Sequence, residues 1–415
     1  MKHSSLFLMI LFLCLTATPV EGIELRGEIY NELQTQALNS NSALNPNNLY
    51  QLNELQYLMR GNLVVKSDIF DSATGFAKLE WVYSPVSFNS TANREVEEIY
   101  LKEMYIDLWW DPLIWRIGKY YLKWGRPVFF NPIDFVNLRR DPLQPVDQTE
   151  GSLLINVLFP VNESISVDFL AKIEEEVEKI EDIPVVTRVA FSKNRISGFG
   201  FVQGQKAQKP IYGLNLEYVY NITDELSGCS YGVVSYKRES SRKKIEKTDF
   251  GYETIKMEDK PYYAFVVGTK LDKSFYYANW LDGVSLTTEY YYDNENWSQR
   301  DFRNFLDYYL NLIKNDGPAH AAVSALRQDF RNARNYIYLA LDLHGLINED
   351  FMLSFDTVTN LEDGSRIYLP SLSYSFNNYN SVVNLVAQIS SGNRNSEFAN
   401  NVADWQILLS LQLSF

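Results

Sequence analysis

The C-terminal stretch of this chain constrains its fold more than any other feature. Trp405, Ile407, Leu409, Leu411, Leu413 and Phe415 form one apolar file, and Asp404, Gln406, Ser410, Gln412 and Ser414 interleave with it, Leu408 being the exception. A period of two sends alternate side chains to opposite faces of a strand. At the edge of a soluble sheet such an exposed apolar file is an aggregation hazard, whereas in a closed barrel it meets lipid. The pattern recurs upstream. Ile23, Leu25 and Ile29 oppose Glu24, Arg26 and Glu28; Leu63, Val65 and Ile69 oppose Asn62, Lys66 and Asp68; Leu214, Leu216 and Tyr218 oppose Gly213, Asn215 and Glu217. Charge on the second face is too frequent for a packed core, so that face is expected to be wet.

Hydropathy excludes the helical alternative, because beyond the N-terminus no apolar run reaches the roughly 18 residues of a membrane helix. Aromatic residues make up 14% of the chain, including 28 Tyr and 8 Trp, which suits the ring girdles of a membrane interface. A formal charge of −14 repels phosphate backbones, so no nucleic-acid partner is expected.

Lys2, the apolar Leu6–Leu15 run and the small residues up to Gly22 read as a secretory signal peptide over residues 1–22, cleaved before Ile23. Residues 23–415 are then one barrel domain. Cleavage removes Cys14 and His3 and leaves Cys229, His320 and His344. A single cysteine makes no internal disulfide, and two histidines make a poor metal site. No cofactor or metal is expected.

Strands of such a barrel alternate in direction, so short turns should fall on the periplasmic side and long connections outside. Short turns at 71–73, 111–112, 160–163, 192–194, 222–227, 345–349 and 377–380 alternate with long polar connections at 34–54, 84–97, 125–150, 174–183, 238–259, 294–331 and 391–401. The expected fold is all-β, a transmembrane antiparallel up-and-down barrel of about 18 strands, 14 or 16 being compatible with the weak segments near Val185 and Gly198. Phe302, Phe305, Leu306, Tyr309, Leu310 and Ile313 have helical spacing. They place a helix in the longest outer connection, on the rim or in the mouth, with a second short helical stretch over 319–330.

The most distinctive stretch is Ile114–Pro142. Gly118 and Lys119 lead through a strand to Trp124 and Gly125, and a loop with Phe130, Asn131, Pro132 and Asp134 follows. These residues resemble the porin-like outer-membrane barrel proteins of Gram-negative bacteria, a loose group that includes alginate-export-like channels. The resemblance implies a channel in the outer membrane.

A wide barrel needs something to narrow it before it can select. The 125–150 connection, with Arg126, Asn131, Asp134, Arg139, Arg140 and Asp141, is read as a constriction loop or, alternatively, as a rim loop tied to the wall by ion pairs. Strand parity places Arg60, Lys78, Glu80, Glu103, Asp107, Arg116, Glu217 and Glu289 on the lumen wall. Acids outnumber bases on that face, which favours cations or neutral solutes unless the charges pair across strands. The charge runs at 174–182 and 238–247 are expected to be solvated or bound to lipid headgroups.

The expected function is passive diffusion of small hydrophilic solutes, without chemistry. Expected partners are outer-membrane lipid, the solutes, and the barrel-assembly machinery acting on the strand that ends at Phe415. The alternatives are an adhesin, receptor or structural surface protein, and a barrel-embedded hydrolase built on Asp342, His344 and one of Ser354, Ser371 or Ser373.

Overall fold

A computed structural model of the chain describes residues 22–42, 44, 48, 52–86, 96–134, 151–173, 179, 182–206, 208–240, 242–248, 251–275, 280–315, 333–376, 380–393, 395–401 and 403–415. The signal peptide read at 1–22 falls outside this set except at Gly22, as do Arg139, Arg140, Asp141 and the helical stretch expected over 319–330. The strands are β1 (Ile23–Leu38), β2 (Leu55–Phe70), β3 (Ala73–Val86), β4 (Val96–Trp110), β5 (Leu113–Tyr120), β6 (Ser152–Asn162), β7 (Ile165–Ile173), β8 (Val185–Lys193), β9 (Ile196–Gly204), β10 (Ile211–Asn221) and β11 (Leu226–Lys237). A short pair follows, β12 (Lys243–Thr248) and β13 (Gly251–Lys256). The remainder are β14 (Tyr262–Ser274), β15 (Gly283–Asp293), β16 (Asn335–His344), β17 (Phe351–Asn360), β18 (Arg366–Phe376), β19 (Ser381–Ser391) and β20 (Ala403–Ser414).

Eighteen of these form one sheet in which each strand is antiparallel to its neighbours, and β1 closes the ring by pairing with both β2 and β20. Closure satisfies every backbone ladder and leaves no edge, the condition for a sheet in hydrocarbon. The seam is finished by the last residue: Phe415 N–H donates to Gly27 O and Gly27 N–H to Phe415 O, both at 2.9 Å.

Side-chain parity follows the sequence. On β20 the apolar file from Trp405 to Phe415 is 36 to 45% exposed, while Gln406, Leu408, Ser410, Gln412 and Ser414 turn inward and are less so. Phe70, Trp110 and Trp280 stand exposed beside the short turns. Toward the opposite end, Tyr212 lies near Tyr236 and Tyr263 near Tyr292 across neighbouring strands. These are two interfacial girdles.

The short connections that join β2 to β3, β4 to β5, β6 to β7, β8 to β9, β10 to β11, β14 to β15, β16 to β17 and β18 to β19 fall at the end that carries Ile23 and Phe415. The 275–282 turn is absent from the sequence reading, and so are two short outer connections at 205–210 and 361–365. With one turn missed at this end and two connections at the other, the connections read from sequence do not alternate strictly: the short turns at 192–194 and 222–227, and those at 345–349 and 377–380, follow one another because the short outer connection between them was not seen. β1 and β3 also run past the loop starts expected at Gln34 and Ser84, to Leu38 and Val86.

The outer end has a core of its own. Helix α1 (Gln299–Asn315) is capped by Ser298, whose Oγ accepts from Asp301 N–H at 3.3 Å while Asp301 Oδ2 accepts from Ser298 N–H at 2.9 Å, a capping box with Asp in place of Glu. Its face of Phe302, Phe305, Leu306 and Tyr309 packs with Trp297, with Ile245 of β12 and with Leu44 from the first outer connection. The helix expected from spacing is therefore present, seated on the β12–β13 hairpin.

Candidate constriction and lumen wall

The chain turns inward after β5. Gly125 has φ +75°, a conformation L side chains rarely adopt, and this turns residues 121–134 back into the barrel. Glu103 Oε2 accepts from Tyr121 N–H at 3.3 Å where the segment begins. Asn131 then joins its two limbs: Asn131 Nδ2 donates to Trp124 O at 2.5 Å, and Asn131 Oδ1 accepts from Ile133 N–H at 3.2 Å. Asn131 therefore holds the shape of the loop. Asp134 continues this turn, its N–H reaching Asn131 O at 3.4 Å.

Two aromatic clusters fix the segment to the inner wall. Trp124 and Ile133 are buried with Leu154, Leu170, Val186, Phe199 and Phe201. Further along, Phe129 stacks on Tyr338 at 5.0 Å, and Phe130 sits 4.7 Å from Tyr291 and 4.9 Å from Tyr336. Between them Arg126 Nε donates to Glu217 Oε2 at 2.9 Å, a bond that raises the guanidinium further above its usual range. At the tip, Val128 N–H donates to Glu289 Oε1 at 2.5 Å and Phe129 N–H to Glu289 Oε2 at 3.1 Å; the Tyr231 hydroxyl donates to Oε1 at 2.6 Å.

The eight wall residues read from parity share one face of the sheet. In register, Arg60 opposes Tyr30, Glu80 opposes Asn62, Lys78 opposes Glu103, Asp107 opposes Arg116, Glu217 opposes Tyr231 and Glu289 opposes Tyr338. From β2 to β8 several bases of this face are paired. Arg60 bridges Glu32 and, at 3.6 Å, Glu80, and Lys102 meets Glu80 at 2.7 Å. Arg116 grips Asp107 with two bonds at 2.6 and 2.8 Å and lies over Tyr105. Arg188 meets Asp168 at 2.6 Å and lies over Phe199 and Trp124. Glu289 on β15 and Asp356 on β17 instead accept from neutral groups, Tyr338 donating to Asp356 at 3.0 Å. The inner face is thus not uniformly wet, because the inward segment covers part of it with aromatic packing.

Sequence reasoning missed Glu32, Lys102 and the tyrosines that receive the loop. Lys102 turns inward through a register shift between Lys78 and Leu79, which parity counting does not detect. Tyr231, Tyr291, Tyr336 and Tyr338 were legible as inward residues, but nothing local signals that a loop packs on them.

In register Ser354, one of the serines expected, lies opposite Asp342, but the serine within hydrogen-bond distance of His344 is Ser285, on the neighbouring strand at the other side. Ser285 Oγ lies 3.2 Å from His344 Nε2 and donates to Asp272 Oδ1 at 2.5 Å. The Ser285 hydroxyl thus donates to a carboxylate, whereas an activated nucleophile donates to its base.

No protein-family model and no curated protein matches the sequence. Solved structures do. Acinetobacter baumannii OccAB1 aligns with a TM-score of 0.59 at 7% identity, over 95% of this chain and 97% of that one. Pseudomonas aeruginosa OccK5 (OpdH) aligns with a TM-score of 0.57 at 10% identity, over 96% and 99%. Pseudomonas aeruginosa OccK2 (OpdF), in complex with glucuronate, aligns with a TM-score of 0.54 at 10% identity, over 95% and 98%. At such identity the likeness is one of fold, the closed 18-stranded antiparallel barrel of the OprD/Occ porins.

Proposed function

We propose that this chain is an outer-membrane channel through which small hydrophilic solutes diffuse passively. One observation carries the reading: inward-facing charged side chains remain open to water at the height of the constriction. Arg126 is 57% exposed, Lys270 46% and Arg116 40%, so the 121–134 segment narrows the bore without filling it. A polar, water-filled interior of this width fits solutes on the scale of the sugar acid held by OccK2. Because several bases on the inner face are matched by acids and further acids stand on β15 and β17, the bore should weakly favour cations or neutral solutes.

β1 begins at Ile23, which agrees with export through a leader cleaved after Gly22. The Phe415 strand would be the segment handed to the barrel-assembly machinery. The ordered outer core around α1 favours a second reading, a surface receptor or adhesin.

Liposome swelling with sugars of increasing size tests the channel. Swelling by small sugars that falls off with size supports it, and no swelling favours the surface reading. Reversal potentials under a salt gradient test the charge argument, and anion preference would reject it.

A further inference from the structure

Residues 121–134 are anchored at three places of different character. The Trp124 and Ile133 end is held by aromatic packing, and the Arg126–Glu217 pair is open to water, where such pairs contribute little. The tip is different. Glu289 is 2% exposed, and its donors include the backbone N–H groups of Val128, Phe129 and Phe130 and the Tyr231 hydroxyl, all neutral. Burying a carboxylate on an inner wall that faces water is costly unless its oxygens are satisfied. Here three successive backbone amides at the tip help to satisfy them, and these residues lie outside any strand.

We propose that Glu289 is a positioning residue that sets the width of the bore. The assignment rests on the channel reading above. Its carboxylate straps the tip against β15, and the Tyr231 ring, packed over Gly268 so closely that a Cβ there would meet it at 2.6 Å, keeps the hydroxyl aimed at Oε1. The exposed side chains nearest the strapped tip are Arg126 and Val128, and these would meet a passing solute. Loss of the carboxylate leaves the amide donors of the tip facing an aromatic wall. Water in the lumen is their nearest alternative acceptor, so the tip should leave the wall.

Glu289→Gln and Tyr231→Phe test this in the full mature chain, with assembly checked by heat-dependent mobility on detergent gels. Gln keeps one acceptor oxygen but turns an NH2 toward the amides; Phe removes one donor and keeps the ring. In bilayers, Glu289→Gln should show altered single-channel conductance with new substates and a shifted sugar cut-off, and Tyr231→Phe a smaller shift in the same direction. Amide exchange at Val128 and Phe129 should quicken in both, and the double variant should do no more than Glu289→Gln alone, since both changes act on one carboxylate. Unchanged conductance, cut-off and exchange in an assembled Glu289→Gln would overturn the assignment while leaving the channel standing. Should that variant fail to assemble, Tyr231→Phe with unchanged exchange and cut-off overturns it equally. A wild-type chain that passes no current overturns both readings.

Discussion

Arg60 shows what single residues contribute to the inner wall. Its side chain is nearly buried and serves Glu32 and Glu80 together, above the Tyr30 ring. Removing one member of a buried ion-pair network strands the others, a loss of about 3 kcal/mol that Lys102 moderates by keeping Glu80 paired. Arg60→Ala should therefore unfold at lower urea in lipid vesicles, by about that amount, whereas Arg126→Ala, whose pair is exposed, should cost below about 1 kcal/mol. Cys229 is partly exposed on the inner face of β11, opposite Lys270. A bulky methanethiosulfonate reagent should lower single-channel conductance, and Cys229→Ser should abolish that response; conductance indifferent to the reagent would place the thiol outside the conducting path. Arg60, Glu217 and Glu289 were legible in the sequence because a period of two assigns a face. Their partners were not, since Arg60 and Glu32 lie 28 positions apart and Val128 and Glu289 161 apart, and parity assigns a side but no neighbour.

At the scale of elements, alternation identified nearly every strand because lipid on one side and water on the other enforce it. Leu409 stands mid-way along the outer file of β20 and Gln412 on the inner one. Leu409→Lys should destabilise the barrel by about 2–4 kcal/mol, the cost of a base near the bilayer midplane; Gln412→Lys should cost far less, read by the same urea titration. Where one side is not lipid the signal fades. The β12–β13 pair lies within a charged run and was read as a loop, because no hydrocarbon face sorts Lys243, Lys244, Glu246 and Lys247. Helix α1 was legible because its stripe meets a local core. Phe305 is fully buried in that core, so Phe305→Ala should loosen the outer cap by about 3–5 kcal/mol. Limited proteolysis should then cut the outer loops sooner while the strands stay protected.

The whole molecule has a greasy exterior, a charged interior and, among the described residues, a segment from Tyr121 to Asp134 packed against the inner wall. The outer surface requires detergent or lipid, and the inner charges require water, so neither makes sense without the other. The segment from Tyr121 to Asp134 adds selectivity only if solvent still passes beside it. Recording the purified mature chain in a planar bilayer asks this directly. The account predicts discrete, stable current steps that grow with salt concentration. A chain that inserts and spans the membrane yet yields no steps at any salt concentration would contradict it.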